Sequence, residues 1–254
     1  MSTLIDLVAG DLQPWEVAFI LGAAFLSGVF HTFSGFAGGV VLSIAIAPVL
    51  GVVAVVPMLS VALIISASSR IWVFRRDIDL PVYANVMLPA LPGIVIGALI
   101  YTRLDPSAIS ILLGAVLLFT ALMRRHLERV GLSIGRVTLA AAGCAFGLIS
   151  GMTIGGGLLL VPFLLGAGLR RERLAALFAG IGFALNVSKA LVFAATSTLD
   201  LHMLLLGIVV GLCTIPGTYV GYALLRATGI RVHTLYMEAF VVLAGLGYLA
   251  HGLL

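Results

Sequence analysis

Apolar runs fill the chain and break only at charged residues or at Pro and Gly. They predict segments at about 15–33, 38–50, 52–74, 80–101 and 107–123, then at about 137–149, 154–168, 174–194, 201–225 and 232–253. A helix needs about 20 apolar residues to cross a bilayer. Most of these runs have them. The runs at 38–50, 137–149 and 154–168 are short, and those at 38–50 and 154–168 follow glycine-rich breaks. Short apolar pieces after such breaks predict broken or re-entrant helices, whose irregular backbone must be buried in protein or line a cavity. The expected fold is therefore an all-α polytopic membrane protein with about 8–10 membrane helices.

The pattern also repeats. Ser34-Gly35 with Gly38-Gly39 returns as Ser150-Gly151 with Gly155-Gly156-Gly157, and Ser69-Arg70 returns as Ser188-Lys189. Asp79-Leu80 returns as Asp200-Leu201, and Pro92-Gly93 with Gly97 as Pro216-Gly217 with Gly221. The order is the same in both copies. This divides the chain into a tail (1–14), a first membrane repeat (15–123), a polar linker (124–136) and a second membrane repeat (137–254).

Charge orients the repeats. With the N-terminus outside, the inner loops collect Arg75, Arg76, Arg124, Arg125, Arg129, Arg136, Arg170, Arg171, Arg173, Arg226 and Arg231, and the outer loops only Arg103. Positive residues stay on the cytoplasmic side. Five segments per repeat is an odd number, so the second repeat enters from the opposite side. Two inverted repeats with matching broken segments are the pattern of a secondary transporter. Both termini are then expected on the periplasmic side of a bacterial inner membrane.

Composition agrees and excludes other classes. Apolar residues make up 62% and charged residues 9%, against about 25% charged in a soluble domain. The net charge of +4 comes from segment ends, so it does not point to nucleic acid. Residues 1–14 carry no Lys or Arg and lack the basic start of a secretory signal. Cys144 and Cys213 each stand alone in an apolar segment, so neither a disulfide nor a metal framework is expected. No HExxH, P-loop or dinucleotide fingerprint occurs, and no cofactor is expected.

Only two of the fourteen Lys and Arg residues, Arg70 and Lys189, fall inside apolar segments away from the loops. A basic group at mid-membrane costs about 2.5–3.5 kcal/mol on insertion scales, which a bound anion would offset. Arg70 has a second reading: it lies about one turn before Arg75 and Arg76, within snorkelling reach of the inner interface. Lys189 is therefore expected to carry more of the anion. Asn186, Ser188, Ser66, Ser68 and Ser69 share these segments and are suited to orient an oxyanion.

The glycine breaks are the other candidate. A helix restarting after Gly38-Gly39 or Gly155-Gly156-Gly157 presents unpaired N–H groups and a positive dipole end. Two such ends make an anion site needing few side-chain charges. Ser34 and Ser150 stand at the same breaks, and a positive φ is expected at Gly156. Gly93/Gly97, Gly207/Gly211 and Gly217/Gly221 are explained by close helix packing alone. Glu238 and His31 are the candidates for coupling transport to a proton, with sodium the other ion considered. The plainer reading of His31 is a hydrogen-bonded core histidine. An intramembrane serine hydrolase is the reading from another class. Ser34-Gly35 and Ser150-Gly151 resemble its nucleophile, but Thr32 and Leu148 stand where GxSG needs glycine.

Phe33-Ser34-Gly35-Phe36-Ala37-Gly38-Gly39 and the run from Ile149 through Ser150-Gly151 and Gly155-Gly156-Gly157 to Val161-Pro162-Phe163 resemble the twin glycine motifs of the sulfite exporter TauE/SafE family, also called the toluenesulfonate uptake permease group. The resemblance covers about residues 15–253. The second copy is the more specific, since the first has two glycines and no Val-Pro. The resemblance implies an inner-membrane transporter of sulfur-containing anions such as sulfite, sulfoacetate or other organosulfonates, usually in the export direction. The expected function is alternating-access transport of such an anion. An anion channel or an uptake permease of the same fold is the alternative.

Overall fold

A computed structural model describes residues 12–34, 38–130, 135–169, 171–227 and 230–253. They form ten helices and, among the described residues, no strand. These are α1 (Pro14–Ser34), α2 (Gly38–Leu50), α3 (Val52–Phe74), α4 (Leu80–Tyr101), α5 (Pro106–Val130), α6 (Arg136–Met152), α7 (Gly157–Gly166), α8 (Arg171–Ala195), α9 (Leu201–Ala227) and α10 (Ile230–Leu253). Among the described residues six helices, α1, α3, α4, α5, α8 and α9, are long and apolar enough to cross a membrane. Shorter apolar helices lie at 38–50, 136–152 and 241–253.

Two boundaries depart from the sequence pattern. α5 continues to Val130, well into the polar stretch, because nothing before Gly131 breaks a helix and a polar end can leave the bilayer. α7 is shorter than the apolar run, starting at Gly157 and stopping at Gly166. Its cause is a longer break. Thr153 is extended (φ −138°, ψ −172°) and Gly155 has a left-handed φ of +84°, a conformation that favours glycine. Gly156 is helical, with φ −57°. The positive φ expected at Gly156 therefore belongs to Gly155.

The bundle turns its apolar side chains outward. Trp72, Leu88, Leu122, Leu191 and Leu243 are each at least 65% exposed, whereas Arg70 is 1% and Lys189 3% exposed. Lipid solvates the first group, so polar groups collect inside. Arg75 stacks over Trp72 at 4.4 Å and Arg226 over Tyr222 at 5.0 Å. Such pairs suit a membrane–water interface, and both lie where the charge pattern puts the cytoplasm. The matched aspartates cap matched helices: Val82 N–H donates to Asp79 at the start of α4, and Met203 N–H to Asp200 at the start of α9.

The most extensive helix–helix contacts map onto one another when the first five helices are exchanged for the last five. α4 packs on α6 and α9 on α1; α3 packs on α9 and α8 on α4; α3/α8 and α5/α10 are their own counterparts. Glycines set the closest of these approaches. Gly93 and Gly97 lie against Cys144, Gly147, Leu148 and Gly151, while Gly217 and Gly221 lie against Phe25, Gly28, Val29 and Thr32. The contacts pair Phe25 with Cys144, Gly28 with Gly147, Val29 with Leu148 and Thr32 with Gly151. That register makes His31 the counterpart of Ser150, whereas the sequence motifs align Ser34 with Ser150.

Candidate functional site

The two glycine breaks meet. A methyl group on Gly39 would lie 3.1 Å from the Ile154 side chain, and one on Gly155 would lie 3.0 Å from Val40. Beside this junction is a cavity of about 60 Å³, room for a few waters or one small oxyanion. His31, Gly39, Ser150, Gly155, Gly156, Gly157, Asn186 and Lys189 all line it, between apolar walls from Leu59, Leu63, Phe146 and Phe178. Among the described residues no Asp or Glu lines it.

Each polar group arrives for a local reason. α6 ends inside the bundle, where its last carbonyls have no helical N–H donors to accept from. The Thr153 hydroxyl donates to Ile149 O at 2.6 Å. Lys189 Nζ donates to Ser150 O at 3.1 Å and Thr153 O at 2.9 Å. A cation at a helix C-terminus is also favoured by the dipole. α7 then starts with Gly156 as its N-cap, which has no side chain to accept its leading N–H groups. Those donors and the Ser150 hydroxyl, which has no partner among the described residues, meet at one wall. A methyl group on Gly156 would overlap Ser150 Oγ.

α8 supplies the facing wall. Phe178, Gly182, Asn186 and Lys189 recur at helical spacing, so one stripe faces the cavity. Asn186 Nδ2 donates to Gly182 O at 2.7 Å and Ser188 Oγ to Ala184 O at 2.8 Å. Ser69 Oγ likewise donates to Ser66 O at 2.8 Å and meets Thr218 Oγ1 at 3.1 Å. Ser68 donates to Ile64 O.

Two expected site residues, Gly38 and Arg70, stand apart from this lining. Gly38 packs on α1: Ser27 Oγ donates to its carbonyl at 2.8 Å, and a methyl group on it would overlap His31. Its glycine serves packing. Arg70 does not line the cavity, but its Nη2 lies 3.6 Å from where a Gly182 side chain would begin. The snorkelling reading of Arg70 does not hold, because the residue is buried to 1% within the bundle. The side chains of Ser34 and Glu238 lie outside the described residues. His31 is buried and its Nδ1 has no partner among the described residues. Gly182 and Thr153 were missed. The spacing of Gly182 to Asn186 and Lys189 signals the first; the second acts through its carbonyl, which a sequence does not display.

These features define a polytopic helical membrane protein with a buried cationic cavity where two broken helices meet. The chain belongs to the sulfite exporter TauE/SafE family, whose model matches residues 20–248. It is thus a multi-pass membrane protein of a family of sulfite and sulfur-anion exporters and permeases. No curated protein and no solved structure matches the chain.

Proposed function

We propose that the protein exports a small sulfur oxyanion, sulfite or an organosulfonate, across a bacterial inner membrane by alternating access. The observation that carries this is the cavity at the junction of the two glycine breaks. It joins the N-terminus of α7, the Ser150 hydroxyl, Asn186 and Lys189, with Arg70 near Gly182 and, among the described residues, no carboxylate in its lining. Backbone amides at Gly155–Gly157 hold the oxyanion, with Gly39 leaving room from the other break. The exchange-related helix pairs support two inverted repeats that rock about this cavity. His31 faces it and is the described candidate for proton coupling; Glu238 is the other candidate.

Purified protein in liposomes tests this reading. Sulfite or sulfoacetate efflux should saturate and be stimulated by substrate on the opposite side. Flux that neither saturates nor responds to substrate in trans would identify the channel alternative. The enzyme reading has less support, since no hydrogen bond joins Ser150 Oγ to His31 or to any other base among the described residues.

Topology gives a separate test. His126 is exposed near the end of α5. In a background without Cys144 and Cys213, His126→Cys should be labelled by an impermeant reagent only from the cytoplasm. Labelling from the periplasm would sink the inverted arrangement.

A further inference from the structure

We propose that Arg70 supplies the positive charge that selects the anion, reaching the cavity across the bare face of Gly182, while Lys189 is a structural clamp on the end of α6. This deepens the transport reading and rests on it. The two basic residues come from matched positions, yet the structure treats them differently. Lys189 already donates two hydrogen bonds to helix-end carbonyls. All three guanidinium nitrogens of Arg70 lack a partner among the described residues, although the side chain is 1% exposed. A buried charge with nothing to pair with is costly, and it needs a ligand that is anionic and rich in acceptors.

The surroundings fit that ligand. Ser66 lies one turn before Arg70 on the same face of α3; it is fully buried, and its hydroxyl is also unpartnered among the described residues. The flat fork of a guanidinium presents parallel donors matched to two oxygens of a sulfite or sulfonate group. Gly182 lines the cavity, and its missing side chain leaves Nη2 3.6 Å from where a Cβ would stand. Alanine there would make ordinary contact with Arg70 at 3.6 Å. A longer side chain would screen the charge.

Sulfite and sulfoacetate binding to detergent-purified protein, read by calorimetry alongside melting temperature without ligand, tests the assignment. Arg70→Gln should raise Kd at least about tenfold and leave the ligand-free melting temperature unchanged or higher, because an unpaired buried charge is removed. Arg70→Lys should recover only part of the affinity. Gly182→Leu should mimic Arg70→Gln in Kd, and Gly182→Ala should bind like the parent. Lys189→Met should lower the melting temperature as Ser150 O and Thr153 O lose their donor, with a smaller rise in Kd than Arg70→Gln causes in the protein that folds. Unchanged affinity in Arg70→Gln, or a tenfold loss confined to Lys189→Met, overturns the assignment while the transport reading stands. A parent that binds neither anion overturns both.

Discussion

Gly156→Val is expected to abolish sulfite flux in a protein that still folds. The residue is helical, with φ −57°, so valine meets no backbone penalty there. What a side chain would meet is Ser150: its Oγ, the end of a short side chain that can rotate, and its Cβ and Cα at 3.2 and 3.3 Å, which ask a shift of a few tenths of an ångström. The branched group would then occupy the wall where the leading N–H groups of α7 meet the cavity. Gly155→Val should behave differently. Its φ of +84° is strained for any side chain, and the added atoms would press on Leu117 and Val40. That variant should lose stability first. Melting curves with and without sulfite separate the two, since a ligand that binds only the folded state raises the melting temperature. Gly156→Val should melt near the parent and show no ligand shift. A full ligand shift in Gly156→Val would mean that the anion binds elsewhere.

Gly147→Val should prevent accumulation of folded protein. Its added side chain would overlap the Ala90 carbonyl on α4. No rotamer change relieves a clash with backbone, so the helices must move apart, at more than about 3 kcal/mol. Gly28→Val, whose side chain would overlap the Thr214 carbonyl on α9, should fail to the same degree, because it occupies the equivalent contact. Gly22→Val, with open space around it, is the control and should express normally. Fluorescence-detected size exclusion of the three variants reads this directly. Normal monodisperse expression of Gly147→Val would show that the α4–α6 contact is looser than these glycines require.

The cavity also accounts for a choice that a list of basic residues leaves open. Lys189, with no basic neighbour, looked the better ligand, and Arg70 had an aqueous exit within a turn. Packing reverses their situations. The end of α6 falls beside Lys189 and uses two of its donors. Arg70 has α8 against it and Gly182 where a side chain would have blocked it.

The sequence by itself determined the medium, the ten helices, all but the end of α5 to within a few residues, the two glycine breaks and the family. Each of these is local. A run of apolar residues, an arginine at a segment end, or a glycine triplet acts through its own stretch of chain and the solvent around it. The exchange-related glycine pairs were legible for the same reason, since 92–97 and 216–221 carry their own motif. Only the tertiary structure decided which groups share the cavity. Gly39, Ser150, Asn186 and Lys189 come together there, Gly38 is used for packing, and His31 is the register counterpart of Ser150 where the motifs suggested Ser34. These outcomes depend on which residues of α1 meet α9 and which of α6 meet α4, a register set by backbone approaching backbone at glycines. A sequence records which residues are small, but the partner each small residue faces is fixed only when the helices pack.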